Sequence, residues 1–255
     1  MFATIPILGT AVAAITRDAA ASIVDEWALA GDRAYAVGAA DVHVITRARH
    51  EEDYGCIIRR FDMVLPDGMP LVWEINRSVA EEDRLTERVS GADLMHLILS
   101  SHDDAKRKVH FLLGGSDALL HDLQQTITKN YPHALVGGAY SPPYGPWPID
   151  ELENICEKIR ESGASHIWVA LGCPKQERWI GENLAKLPPG VYFAVGAAFA
   201  FIAGHVKRAP DFFQKNGLEW FYRICCEPRR LWKRYFVYNS LFIFYWLKNR
   251  MMAED

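Results

Sequence analysis

The stretch LPDGMPLVW, residues 65–73, sets an aspartate, Asp67, after the apolar run MVL and before a second apolar run. A solvated loop aspartate has no need of apolar residues pressing from both sides. A turn aspartate tolerates them, because Pro-Asp-Gly is ordinary turn chemistry. The residues alone therefore leave two readings for Asp67, a bend or a reaction. Two further stretches carry groups suited to an anion or a sugar. VHFLLGGS (109–116) ends an apolar run in Gly114 and Gly115, where backbone N–H groups can approach a phosphate at a helix start. Gly-Gly is also a common way to turn a strand-to-helix corner, and alone the motif reads as structural. ALGCPKQERWI (170–180) follows its apolar run with Gly172, Lys175 and Gln176. An ammonium suits phosphate and a side-chain amide suits sugar hydroxyls. The competing reading is a solvated first turn with Glu177 and Arg178 on its outer face.

The C-terminal part holds chemistry of another kind. From Leu231 to Leu247 eight of seventeen residues are aromatic, interleaved with Lys233 and Arg234, a mixture that suits a membrane interface and its anionic headgroups. A core helix with a large apolar stripe is one alternative and a nucleic-acid surface another. The crowding of the aromatics into one helix-like run and the acidity of the remaining chain weigh against nucleic acid. The net charge of −4 hides an asymmetry: residues 204–250 carry ten Lys or Arg against Asp211, Glu219 and Glu227, a net of +7, which leaves −11 elsewhere. A basic terminal segment on an acidic body points to an anionic partner. No Asp-x-Asp occurs, which argues against the metal-binding device of many nucleotide-sugar transferases, and no Ser/His/Asp pattern is legible among nine scattered histidines. The five cysteines are odd in number, with one vicinal pair, Cys225 and Cys226, and no zinc spacing; reduced thiols in the cytosol are the plain reading.

These groups need a scaffold, and the hydrophobic pattern supplies one. Short apolar runs ending in small residues occur at 34–40, 109–115, 134–140, 166–172 and 191–197, with helical spacing between them. Ser116 and Asp150 read as helix N-caps and Gly163 as a helix stop. Apolar strands without alternation, separated by helices, predict an α/β fold whose parallel sheet is covered on both faces. Ligands in such sheets bind at the carboxyl ends of the strands, which selects Asp41, Gly114 and Gly115, the segment 137–143 with Tyr140, and 172–176. The N-terminus, MFATIPILGTAVAAITRDAAA, lacks a basic leader and reads as a short strand followed by a helix, and no uninterrupted apolar stretch approaches the roughly 20 residues needed to span a bilayer. The expected organisation is a Rossmann-like core over 1–203 and a helical, basic, aromatic appendage over 204–255.

Taken together, LPDGMPLVW, RVSGADLM (88–95), VHFLLGG, GAYSPPYGP (138–146), ALGCPKQERW and VKRAPDFFQKNGLEWFYRICCEPRR resemble the WecG/TagA/CpsF family, glycosyltransferase family 26, from about Ile5 to about Lys248. The resemblance implies an inverting transfer of a sugar from a UDP-sugar to a saccharide on a polyprenyl diphosphate, at the cytoplasmic face of the membrane; with no Asp-x-Asp in the chain, no metal or other cofactor is expected. It implies that Asp67 is the general base and that the appendage meets the membrane. Arg88 becomes a candidate for the diphosphate or acceptor, and Gln176 for the sugar. Arg223, Arg230 and a member of the Lys233/Arg234 pair become candidates for the lipid diphosphate, which a guanidinium fork suits better than an ammonium. The chain departs from the family pattern at Ala39 and Asp41, where the family has Thr and Asn, and at Ala200, where it often has an acid. Donor sugar is left open among glucose, N-acetylmannosamine and its uronic acid, and self-association into a homo-oligomer is left open too. The alternative class is a catalytically inactive binding component of a polysaccharide assembly complex, motivated by those departures.

Overall fold

The computed structural model describes residues 2–101 and 108–253. The chain starts with a hairpin, β1 (Thr4–Ile7) and β2 (Thr10–Ala13), then α1 (Arg17–Ala30) and β3 (Ala34–Ala40). Next come α2 (Val42–His50), α3 (Glu52–Ile58), β4 (Met63–Pro66), α4 (Met69–Ile75), a 3-10 turn at Glu81–Asp83 and α5 (Gly91–Ser100). Strand and helix then alternate through β5 (Val109–Gly114), α6 (Asp117–Asn130), β6 (Leu135–Tyr140), α7 (Glu151–Ser162), β7 (His166–Ala170), α8 (Lys175–Asn183) and β8 (Gly190–Ala194). Four helices follow: α9 (Ala198–Ile202), α10 (Asp211–Lys215), α11 (Glu219–Cys226) and α12 (Pro228–Ala253).

Strands β3 to β8 form one sheet in the order β4-β3-β8-β7-β5-β6, and the neighbours β3/β8, β8/β7, β7/β5 and β5/β6 are parallel. This is the α/β fold that the apolar runs predict. The reason is visible in the burial: apart from His166 at the start of β7, strands β7 and β8 are apolar on both faces and almost wholly inaccessible, because helices cover each side. Ser116 caps α6, its hydroxyl accepting from Leu119 N–H at 3.2 Å, and Gly163 ends α7 in the left-handed conformation at φ 64°. Asp150 stands at the α7 cap position without a side-chain cap bond. The N-terminal expectation is corrected: instead of one strand before α1 there is an antiparallel hairpin turned by Leu8 (φ 48°) and Gly9 (φ 87°). Two consecutive positive φ values match the twist of a two-residue hairpin turn, but Leu-Gly carries little of the usual turn signal.

The chain divides into two compact units: Met1–Thr16, Ala39–Ser90 and Arg208–Asp255 make one, and Arg17–Gly38 with Gly91–Lys207 make the other. In the first, α12 lies along α2. Tyr238 sets its ring edge-on to His43 with centroids 4.3 Å apart and donates to Glu51, the Tyr245 hydroxyl meets His50 Nδ1 at 2.8 Å, and Trp246 Nε1 donates to Glu74 at 3.0 Å. Leu231 and Tyr235 are buried on the same side. Trp232, Phe236, Ile243, Phe244, Leu247 and Met251 are exposed, and their spacing of mostly three, four or seven residues places them on the opposite stripe. The aromatic run is thus a docked helix on one face and an open apolar face on the other. Among the described residues no helix is long and apolar enough to cross a membrane, and no disulfide joins the five cysteines.

In the second unit Trp168 of β7 stacks on Phe193 of β8 at 4.2 Å. At the amino ends of β5 and β7 the core turns polar: His110 and His166 sit side by side with ring centroids 5.3 Å apart, both buried. His166 Nε2 lies 3.1 Å from Asp25 on α1, whose other oxygen takes Lys108 Nζ at 2.5 Å.

Candidate functional site

In the first unit the segment Pro66-Asp67-Gly68 joins β4 to α4. Asp67 N–H donates to Ala40 O at 2.9 Å, which brings the carboxyl ends of β4 and β3 together. Gly68 has φ 166°, extended backbone open to any residue, and its carbonyl starts α4 by accepting from Leu71 N–H. The glycine is therefore not required by a left-handed turn, and the bend reading of the motif loses its steric argument. The Asp67 side chain faces Arg88: Nη1 donates to Oδ1 at 3.2 Å. Arg88 is placed by the loop before α5, where Val89 N–H donates to Pro66 O at 3.0 Å.

The same guanidinium reaches the C-terminal helices. Arg88 Nη2 donates to Gln214 Oε1 of α10 at 3.2 Å and pairs with Glu219 Oε2 of α11. Gln214 is itself fixed, its Nε2 donating to Ala209 O at 2.7 Å. Side-chain exposures are 13% for Arg88, 25% for Asp67 and 17% for Glu219, so this cluster is largely withdrawn from water and its charges are screened less than a surface pair. Asp41, at the end of β3, caps α2 by accepting from Val44 N–H at 3.0 Å. Arg223 lies one helical turn beyond Glu219 on α11 and is half-buried. The side chains of Arg230, Lys233 and Arg234 lie outside the described ones, although their backbone belongs to α12.

The second unit presents its own set at the carboxyl ends of β5, β6 and β7. Gly114 (φ 102°) and Gly115 (φ 80°) turn the chain into α6. A Cβ on Gly114 would stand 2.7 Å from Ala170 O, so the tight packing of β5 on β7 by itself demands glycine there. Ser141 Oγ donates to Gly115 O at 2.7 Å. Tyr140 donates to Glu151 of α7 at 2.8 Å; burial and that carboxylate push its phenol above the ordinary range. Gly172 (φ 81°) precedes α8. Lys175 is exposed, its Nζ 5.4 Å from the centre of the Tyr144 ring, and that ring is itself fully exposed on the Pro-rich loop after β6.

One sequence expectation and the reading that competed with it both change here. Gln176 is 3% exposed rather than projecting over the strand ends; its amide spans from Glu177 Oε1 (2.8 Å) to Gly196 N–H (3.2 Å) and so ties α8 to the loop after β8. Glu177 is buried at 2%, not on an outer solvated face. Gln214 and Glu219 were not singled out by sequence as Arg88 partners; the only signal was that Glu219 is one of three acids in a segment of net charge +7. Among the described residues no group of three or more His, Cys, Asp or Glu is arranged to hold a metal ion.

A family model described as "Glycosyl transferase WecG/TagA/CpsF family" matches residues 5–255. A curated relative from Bacillus spizizenii (strain ATCC 23059 / NRRL B-14472 / W23) is 30% identical over 181 residues, 71% of this chain and 66% of the relative. Another from Bacillus subtilis (strain 168) is 30% identical over 184 residues, 72% of this chain and 68% of the relative. Both carry the name N-acetylglucosaminyldiphosphoundecaprenol N-acetyl-beta-D-mannosaminyltransferase. The chain thus spans about two thirds of the length of the curated relatives it matches.

Proposed function

Because the chain belongs to the WecG/TagA/CpsF family of glycosyltransferases, we propose that it moves a sugar from a UDP-sugar to a saccharide carried on a polyprenyl diphosphate, with inversion, in cell-surface or exopolysaccharide assembly. The observation that carries the reading is Asp67 at the carboxyl end of β4, partly desolvated, with a guanidinium on one oxygen. A carboxylate so placed can take the proton from the acceptor hydroxyl while that oxygen bonds to the anomeric carbon. The bond from the anomeric carbon to the donor phosphate breaks, and UDP departs with the electron pair. Cationic side chains and helix N-termini are assigned the role of stabilising the leaving diphosphate, in place of a metal. Lys175 and the Gly114–Gly115 turn are assigned to the donor, with Gln176 acting through the backbone at Gly196. Arg223, Arg230 and the Lys233/Arg234 pair are assigned to the lipid diphosphate. Of the three donor sugars, N-acetylmannosamine is favoured, by the names of the relatives.

The test is UDP release with UDP-glucose, UDP-N-acetylmannosamine and UDP-N-acetylmannosaminuronic acid, each with N-acetylglucosamine on a short-chain polyprenyl diphosphate. Turnover with one donor is expected. Silence with every pair, while UDP still binds in calorimetry, would favour the inactive binding component instead.

The membrane face at which such an acceptor resides is assigned to the exposed stripe of α12, with Trp220 and Phe221 of α11, which are also exposed. Solvent-facing aromatics in this number mark an interaction surface, and the basic residues of the segment suit anionic headgroups. Phe236 and Phe244, 71% and 58% exposed, touch solvent rather than the docking face. Changing both to Ser is expected to weaken binding to vesicles of phosphatidylglycerol and phosphatidylethanolamine roughly tenfold or more, with the melting temperature kept. Unchanged sedimentation with vesicles would remove this stripe from the membrane contact.

A further inference from the structure

One guanidinium serves two carboxylates in the first unit, and it serves them unequally. Arg88 gives Asp67 a single contact, Nη1 to Oδ1 at 3.2 Å, while Nη2 goes to Gln214 and pairs with Glu219. An arginine facing one carboxylate alone settles into the two-pronged fork–fork pair, which stabilises the ionised acid and makes it a poorer base. Here the second prong is taken elsewhere. Glu219 also adds a negative charge to a cluster withdrawn from water, and like charge makes a neighbouring carboxylate hold its proton more tightly.

We infer that Glu219 is a positioning residue for the transfer reaction: by holding Arg88 through Nη2 it prevents a bidentate Arg88–Asp67 pair and keeps Asp67 basic enough to accept the proton of the acceptor hydroxyl. Gln214, anchored on Ala209 O, fixes the same prong from the neighbouring helix. Among the described side chains, other charged groups lie near the cluster. Arg208 Nη2 lies 3.5 Å from the same Gln214 Oε1, Arg223 follows on α11, and Asp41 caps α2 at the end of the strand beside Asp67. None of these stands on Arg88 as Glu219 does, so removing Glu219 changes the balance in one direction: Arg88 turns to Asp67, a negative charge is lost, and both effects acidify Asp67. The inference extends the reading of Asp67 as base, and its test separates the two.

Carbon-13 labelled aspartate in the full chain reports each carboxyl by NMR, and the Asp67 signal is identified by its loss in Asp67→Asn. In Glu219→Gln the Asp67 titration is expected to move down by about one pH unit. The acid limb of the kcat/KM profile should follow it, with the plateau lowered roughly tenfold as the base weakens. Glu219→Asp, which restores the charge, should recover most of both; should Glu219→Gln fold poorly, Glu219→Ala, which also removes the charge, serves as the reading variant. An Asp67 titration that stays in place or moves up in Glu219→Gln overturns the inference whatever the activity. A titration that moves while full turnover persists in Asp67→Asn would leave the electrostatic pairing standing and sink the base assignment.

Discussion

Replacing Asp67 by Asn is expected to cut turnover by roughly a thousandfold, within the span that a positioned general base contributes, while the protein stays folded. The substitution is nearly isosteric and keeps an Oδ1 acceptor for Arg88 Nη1. What it removes is the capacity to hold the acceptor's proton. The folding cost is small for a structural reason: breaking a partly buried ion pair is severe when it leaves a charge without a counter-ion, and Arg88 keeps Glu219 and Gln214. UDP release is measured alongside circular dichroism and the melting temperature. Near wild-type rates would end the base assignment. Loss of the cooperative melt would shift the effect to structure and direct attention to the carbonyl of Ala40, which Asp67 N–H holds.

That Asp67 could be singled out at all, and that Glu219 could not, follows from which forces act locally. The inner parallel strands were legible because both of their faces are covered, so their sequences read as unbroken apolar runs that stop at small residues, whereas β6 at the sheet edge is half-exposed along its length. Caps at Ser116 and Gly163 were legible because a short polar side chain and a left-handed φ each answer a need of the helix terminus itself. The hairpin of β1 and β2 was not. Its strands are four residues each and its turn rests on Leu8 and Gly9, so the turn signal is weak, and the contacts of β2 with β4 and of β1 with α4 are not written in residue type.

The candidate site divides along the same line. Asp67 advertised itself through the contrast between a carboxylate and its apolar neighbours. Arg88 lies 21 residues away and Glu219 a further 131, distances at which spacing carries no information. In sequence Glu219 is one acid diluting a basic segment; in the structure it is the anion that orders Arg88. Gln176 shows the converse. Its type and place after a strand suggested a sugar contact, but an amide has two ends, and here both are spent on Glu177 and Gly196 inside the protein. Residue type specifies what a group can bond, whereas the partner it takes is settled by tertiary contacts.

The two buried histidines carry the other large effect, on stability rather than turnover. His110 Nδ1 accepts from Trp168 Nε1 at 3.2 Å, a bond that needs the nitrogen unprotonated. Burial, with the nearby His166 and Lys108 charges, holds the His110 pKa well below its ordinary value. Burial likewise lowers His166, against the opposing pull of Asp25. Burial raises Asp25, but its bonds to His166 and Lys108 outweigh this and hold it below the usual carboxylate range. For both histidines the folded value lies below the unfolded value of about 6.5, so as pH falls the unfolded chain takes up protons first. Their contribution is therefore complete above about pH 6.5 and drains away below it, at about 1.4 kcal/mol per pH unit for each proton. Asp25 keeps its contribution through this range, since it is lost only as pH falls through its own lowered value. Urea unfolding is expected to show stability level from pH 8 to 7 and falling steeply from 6.5 to 5, before carboxylates protonate. In His110→Asn, whose side-chain oxygen can still accept from Trp168 without titrating, about half of that slope should vanish. Stability that does not change between pH 7 and 5 would mean that the pair admits a proton in the fold, and that the polar end of β5 and β7 is wetter than its burial implies.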